Sequence, residues 1–490
     1  MGKKLEITKK AEDFLKKPNK GGIFSIWPKF LLKNLEKYFG SELLVKIPDT
    51  LADKSQEMLV AIDTLYQLQS MGIIENIKKG RRYPDEPFIY IYNVNSNKES
   101  NIKLGTGVEF NNEVKAIWRA TAEGVERSLW SSSDHLLKNS VESNYEDLKG
   151  KALNIFKLAG FSEEQKSNLS NLKFNTQTEL RWLEAFSVQG NEKMYCPLQL
   201  ASSNFAYRNQ RLSPTQNRKE PLLRWCITTG LASGRNMVEA IVKGIMEVIE
   251  RDAFMITYLN KLSPEVVDLD YVSAQDEEIN AIIKNFQRYR LEPYIVRLPS
   301  DFPVHIYLAV ILDRTGLGPA FCVGASADFD FKQAIIDSLS EALIVRYSLK
   351  RKFKNDINEK QIGREERLIY WSRPENLNKI EFIFSGEKVK IDLKKRMFEL
   401  RETQEYFKEK LKILSDELSK KNYEACYVKI TTPEIEKLGI FSAKVIISEL
   451  QPMHLNESIP YFGGKRLKEI PEKMGYKAAL TLNQEPHPFP

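Results

Sequence analysis

The sequence predicts a mixed α/β (α+β) chain, and three observations predict it. Helical and strand periodicities alternate irregularly along its length, no repeat of solenoid length is present, and the composition is that of a globular core. Hydrophobic residues make up 42% and charged residues 28% of the 490, which excludes a disordered chain, a collagen-like repeat and a coiled-coil fibre. At about 150 residues per domain, the length leaves room for one large unit and an accessory segment.

Residues 1–80 read mainly helical, with an apolar period near 3.6 from Met58 to Ile74 that closes on Gly72. They are expected to form a small accessory amino-terminal unit, with the main domain spanning 81–490. An alternating strand at Pro87 to Val94 leads through the polar stretch NSNKESN into Gly105-Thr106-Gly107, and then into a helix from about Glu113 to Trp130. Ser131 to Asn175 is polar, interrupted and without a motif, while Trp182 to Leu200 carries apolar runs for one or two strands. A long helical period follows Gly234 and runs to about Leu259. Extended segments are expected at Tyr294 to Leu298, His305 to Leu312 and Pro319 to Ala325, before a helix at Phe331 to Leu349. The run KRKFKNDINEK from Lys350 reads as a solvated face. A charged helix over Lys394 to Lys421, strands at Tyr427 to Thr431 and Ala443 to Glu449, and an irregular Pro/Gly-rich tail complete the chain.

Charge and motif content narrow the function. Lys+Arg number 73 against 66 Asp+Glu, a net charge of +7, with no concentrated basic stripe, so nucleic acid is not the expected partner. The longest apolar run, Ile306 to Leu312, falls far short of the roughly 20 residues of a membrane span. The amino end MGKKLEITKKAEDF has no apolar run of a signal peptide, and Glu6 occupies the Ser/Thr position of a myristoylation signal, so a cytoplasmic location without membrane attachment is expected. Cys196, Cys226, Cys322 and Cys426 stand far apart without a CxxC pair, and only four histidines are present. Buried thiols are expected, not a zinc site or a disulfide framework.

Chemistry concentrates in three helical segments. In RATAEGVER, Glu123 and Glu126 project from one side of a helix beside Arg127. In VEAIVKGIMEVIERD, Glu239, Glu247 and Glu250 fall at about 0°, 80° and 20° around the axis, at about 100° per residue, and so share a face. Aligned carboxylates repel unless a cation or a shared proton compensates, and magnesium, with its oxygen ligands and retained waters, suits two acidic helices facing a nucleotide. Lys243, four residues from both Glu239 and Glu247, equally allows an ordinary Glu-Lys-Glu surface ladder. The third segment, QAIIDSLSEALIVRYSLKR, carries Glu341 and Arg346, and an arginine there could offset charge on a transferring phosphoryl group or form a helix-terminal ion pair. The loop TTGLASGR, Thr228 to Arg235, supplies small residues where backbone amides could meet a phosphate.

Taken in order, GTGVEFNNEVKAIWRATAEGVER, TTGLASGRNMVEAIVKGIMEVIERDAF and DFKQAIIDSLSEALIVR resemble the YcaO superfamily of ATP-dependent peptide backbone-modifying enzymes, from about Pro84 to Pro490. PYFGGKRL at Pro460 to Leu467 and the closing Pro486-His487-Pro488-Phe489-Pro490 are similar to its azoline-forming branch. The resemblance implies a YcaO-type domain of β-sheet with packed helices, and ATP and Mg2+ as cofactors. It implies that Glu123, Glu126, Glu239, Glu247 and Glu250 hold magnesium against the nucleotide, and that Ser233, Glu239, Arg251 and Arg346 line the nucleotide site. Arg346 and Pro490 would act in catalysis, the latter by positioning the site or assisting proton transfer. Two positions depart from the pattern: Arg235, followed by Asn236, stands where many members have Asn, and Thr106 stands where many have Lys at the middle of a GKG.

The implied reaction is cyclodehydration: a Cys, Ser or Thr side chain of a ribosomally made precursor peptide attacks the preceding backbone carbonyl, ATP phosphorylates the oxyanion, and phosphate leaves as an azoline forms. The implied partners are that peptide, a separate leader-peptide-binding protein and a flavin-dependent dehydrogenase in the same pathway, with a homodimer admissible. Thioamide or amidine formation, or a non-catalytic nucleotide-binding accessory role, are the alternative functions.

Overall fold

In a computed structural model, the structure describes residues 52–95, 103–131, 136, 138–202, 220–357, 363–393 and 403–490. The strands are β1 (Asn76–Lys79), β2 (Tyr90–Asn95), β3 (Lys103–Glu109), β4 (Val141–Ser143), β5 (Leu180–Ser187), β6 (Lys193–Pro197), β7 (Leu231–Gly234), β8 (Val266–Val267), β9 (Glu292–Arg297), β10 (His305–Leu312), β11 (Phe321–Asp328), β12 (Lys388–Val389), β13 (Ala425–Lys429) and β14 (Phe441–Ile447). The helices of eight residues or more are α1 (Ala52–Ser70), α2 (Glu113–Ser131), α3 (Met237–Leu259), α4 (Glu277–Arg288), α5 (Phe331–Leu349), α6 (Arg364–Trp371), α7 (Gln404–Lys420) and α8 (Arg466–Lys473). The class is mixed α/β, as expected.

Three sheets organise these elements. β1-β2-β3 form a three-stranded sheet, β11-β10-β9-β8-β12 a five-stranded one, and β4-β5-β13-β14-β7, with β6 on β5, a six-stranded one. Strand periodicity explains the stacking, because alternate residues face opposite sides of a sheet. Along β10, Ile306, Leu308, Val310 and Leu312 pack with α3, whereas Tyr307, Ala309 and Ile311 pack with α4 and α5. Along β13 and β14, Ala425, Tyr427, Ala443 and Val445 face α3, while Cys426, Val428 and Ile446 share a core with α1 and α2. Helix α3 therefore lies between two sheets and is buried along most of its length, with Asn236 capping its start by accepting a hydrogen bond from Glu239 N.

Helix α2 lies on β3 at unusually close range, and the glycines of the GTG segment are the reason. A Cβ on Gly107 would stand 1.7 Å from Ala116 O, and one on Gly105 would stand 2.5 Å from Gly124 N. Because the obstructing atoms are helix backbone, Gly107→Ala should destabilise the fold by roughly 2–4 kcal/mol, read as a lowered denaturant midpoint at unchanged m-value.

The expected boundary at residue 80 falls between paired strands. Asn76↔Asn95 through Lys79↔Tyr92 tie β1 to β2, and Ala61, Leu65, Leu68, Ile74 and Ile77 share one core with Trp182, Leu183 and Ile446. Residues 52–80 are thus built into the main fold, and the rest of the proposed accessory unit lies outside the described residues, as does the 394–402 part of the expected charged helix. Lys350, expected to open a solvated run, is instead tied to Asp85 and Glu86 at 2.9 and 2.6 Å. The thiols of Cys196, Cys322 and Cys426 are buried as expected, whereas Cys226 is half-buried. Among the described residues no helix is long and apolar enough to cross a membrane.

Candidate active site

A cleft of about 490 Å³ opens where α2, α3, α5 and α6 meet the 226–231 loop and the last residues of the chain. Helix α2 contributes Glu123, Glu126, Arg127 and Trp130, an i, i+3, i+4, i+7 stripe on one face. Helix α3 contributes Glu247 and Arg251, α5 contributes Glu341, α6 contributes Arg364, and Phe489 and Pro490 close one wall. Four carboxylates and three guanidiniums face one space.

Bonds to backbone or to a cation aim these acids. Glu123 accepts from Thr106 N at 2.6 Å and pairs with Arg127 at 2.5 Å, so the close docking of β3 on α2 also sets this side chain. Glu247 accepts from Gly230 N at 3.0 Å and reaches Arg251 at 3.5 Å. Glu341 accepts from Ala325 N at 2.8 Å. The 226–231 loop is itself pinned by Lys444, whose buried Nζ donates to Ile227 O and Thr229 O at 2.6 and 2.5 Å.

Carboxylates crowd one another in the cleft. Burial, and then the neighbouring Glu123 and Glu247, push the Glu126 carboxyl well above its ordinary value. Burial likewise raises Glu341, with Glu247 and Glu123 adding to it against the opposing pull of Arg251. A divalent cation among these oxygens would relieve both costs, so the donor set of hard carboxylates fits magnesium. The Glu126 shift has a measurable sign. Its folded pKa lies above the unfolded value near 4.5, so the folded chain holds this proton more tightly. The associated stability is full below that value and is lost as pH rises through the folded pKa. Glu126→Gln should flatten that loss in urea titrations run without divalent cation.

The structure brings together Glu123, Glu126, Glu247, Arg251 and Pro490. Ser233 stands just behind them, its Oγ 2.6 Å from Ser442 Oγ and within hydrogen-bond reach of Glu126. Three expectations need correction. Glu239 does not line the cleft; Arg235 and Lys243 take its carboxylate at 2.9 and 2.8 Å. Glu250 is buried against Arg251 and serves to hold that guanidinium. Arg346 is 2% exposed and fully engaged by Glu86, Asp313 and Pro319 O, at 2.6 to 3.0 Å. It is the centre of a buried ion cluster and is not available to a phosphate. Glu341 and Arg364, which the sequence motifs do not assign to the site, line it as well.

The PHPFP segment is threaded into the fold. Trp371 Nε1 and Tyr258 OH donate to Pro486 O at 2.6 and 2.9 Å, His487 Nε2 donates to His454 O at 2.6 Å, and Arg367 Nε donates to Phe489 O at 2.9 Å. The Phe489 ring stacks under Arg251, 4.1 Å from its guanidinium carbon. Burial, with Arg367 and His454 adding to it, keeps His487 well below the ordinary histidine value and hence neutral.

A family model described as YcaO cyclodehydratase, ATP- and Mg2+-binding, matches residues 111–451. An uncharacterized protein of Methanothermobacter thermautotrophicus is 28% identical over 166 residues, 34% of this chain and 40% of that protein. Among solved structures, a heterocyclase in complex with substrate and cofactor superposes with a TM-score of 0.69 at 17% identity, covering 87% of this chain and 57% of the other. A YcaO protein from Methanopyrus kandleri, bound with AMPPCP and Mg2+, superposes with a TM-score of 0.59 at 16% identity, covering 84% and 95%. The chain thus spans little more than half of that heterocyclase, and at these identities the likeness is one of fold.

Proposed function

Since the chain belongs to the YcaO family, we propose that it is an ATP- and Mg2+-dependent cyclodehydratase that converts Cys, or Ser and Thr, of a precursor peptide into thiazoline or oxazoline. The observation that carries this reading is the cleft itself: carboxylates from three helices converge on one space with a proline-rich segment built into its wall.

In this proposal Glu123, Glu126 and Glu247 hold magnesium, with Glu341 beside them. The ion supplies charge neutralisation for the nucleotide phosphates. Arg251, fixed by Glu250 and by the Phe489 ring, presents its guanidinium to the same phosphates. An amide oxygen is a poor leaving group, so its transfer to phosphate removes the main barrier to losing water. No covalent enzyme nucleophile is required. Pro490 positions the site or assists proton transfer, and the buried bonds to Pro486, His487 and Phe489 keep it in place. The likeness in fold to a heterocyclase that holds both substrate and cofactor supports, by analogy, a ring-forming reaction for this chain. A leader-binding partner, a flavin-dependent dehydrogenase and a homodimer belong to the same proposal.

Calorimetric titration of ATP, with and without magnesium, tests the site, followed by mass measurement of a candidate precursor peptide for loss of one water per ring. Binding that needs magnesium, and a dehydrated product, are the expected results. Magnesium-independent binding would overturn the assignment of the carboxylates.

A further inference from the structure

Of the three arginines in the cleft, two already have carboxylate partners. Arg127 is paired with Glu123, and Arg251 is gripped by Glu250, reaches Glu247 and Glu341, and lies on the Phe489 ring. Arg364, the first residue of α6, lines the same cleft and is partly exposed, yet no hydrogen bond or ion pair to any described residue engages it. It stands within electrostatic reach of Arg127, Glu123, Arg251 and Glu341. Desolvation by the cleft walls, together with the like charges of Arg127 and Arg251, holds its pKa below the ordinary arginine value. An anion is what relieves a guanidinium so placed.

We propose that Arg364 binds the terminal phosphoryl group of the nucleotide, the role that the sequence pattern assigns to Arg346. The inference rests on reading the cleft as a nucleotide site and adds to it which phosphate this residue meets. Arg364 neighbours Glu123 and Glu341, acids that in the proposed function would hold magnesium, and the charge such an ion would neutralise lies toward the transferring end of the nucleotide. Three residues along α6, Arg367 holds Phe489 O at 2.9 Å. Arg364 thus shares a short helix with the residue that holds the tail, and lines the same cleft as Phe489 and Pro490. In the transfer step the bond from the γ-phosphorus to the bridging oxygen breaks, its electron pair leaves on ADP, and a bond forms to the substrate's backbone oxygen. Arg364 gives up no proton; its fork of donors meets the equatorial oxygens as charge spreads over them.

The test is nucleotide affinity of the full chain, using MgATP and MgADP as probes. Arg364→Gln should weaken MgATP about tenfold or more, as expected for a lost charge-assisted bond, and MgADP by less than about twofold. Arg364→Lys should lie between, since it keeps the charge but loses the fork. Thermal melting of each variant monitors folding, and should Arg364→Gln not fold, Arg364→Lys carries the same comparison. Equal effects on both nucleotides, or none on either, overturn the assignment. If the wild type binds neither nucleotide, the reading of the cleft falls and this inference falls with it. If the wild type binds both, Glu247→Gln loses both, and Arg364→Gln fails to discriminate, only Arg364 is misassigned.

Discussion

Glu247→Gln is expected to lower the magnesium-dependent affinity for ATP by about a hundredfold or more, while leaving the chain folded. The amide oxygen of glutamine can still accept from Gly230 N, which the carboxylate now does at 3.0 Å, so the 226–231 loop keeps its place. What disappears is one negative charge among four, and a hard-cation site depends on ligand charge as much as on ligand number. The same loss eases the crowding that raises Glu126, so without magnesium the variant should be as stable as the wild type or more so. Calorimetry and urea titration together check both halves. Lost binding with retained stability supports a cation site built at the expense of the fold. Unchanged binding would return Glu247 to a surface ladder.

Removing Pro488 to Pro490 should reduce ring formation about a hundredfold or more on any peptide that the wild type cyclises, with MgATP affinity changed only severalfold. The truncation takes away the Phe489 ring, which is 1% exposed and packs 4.9 Å from Phe254 as well as against Arg251. Loss of a buried aromatic costs about 3 kcal/mol or more, so a fall in melting temperature is expected. Phe489→Leu is the companion variant, since it fills much of the volume and removes the face under Arg251. If the truncated chain cyclises at the wild-type rate, the tail has no part in the chemistry.

Much of this site is legible in the sequence, and the misses have a geometric cause. The three acidic helices fall at 113–131, 237–259 and 331–349, close to where the apolar periods place them. Glu123, Glu126, Glu247 and Arg251 are brought to one cleft as the motifs imply. Sharing a helix face is too coarse a criterion for the rest. On the wheel that puts Glu239 at about 0°, Arg251 falls near 120° and Glu247 near 80°, so the cleft lies between those two. Glu239, at about 0°, turns aside to Arg235 and Lys243, and Glu250, at about 20°, lies behind the cleft against Arg251. The same arithmetic separates Glu341 from Arg346, which are five residues and so about 140° apart. Only one of them could face the cleft, and nothing local says which. The partners that bury Arg346, Glu86 and Asp313, are remote in sequence. Arg364 escapes notice for a different reason: α6 is short, follows a charged run and carries no motif. The strand at 231–234 reads as loop because its four residues LASG show no alternation; pairing with Phe441 to Lys444 makes it a strand.

The order of the six-stranded sheet also bears on how the chain assembles. Its middle strands, β13 and β14, come from residues 425–447, whereas the strands on either side, β5 and β7, come from 180–187 and 231–234. During synthesis the earlier strands must wait for roughly 200 further residues with hydrogen-bonding edges open, a topology of high contact order that folds slowly and invites edge-to-edge association. Helix α3 cannot be enclosed until then, since one of its two covering sheets lacks its centre. Acids on α2 and α3 therefore acquire their fixed spacing late, and the proposed binding of magnesium should arise in the final cooperative step instead of in any early subdomain.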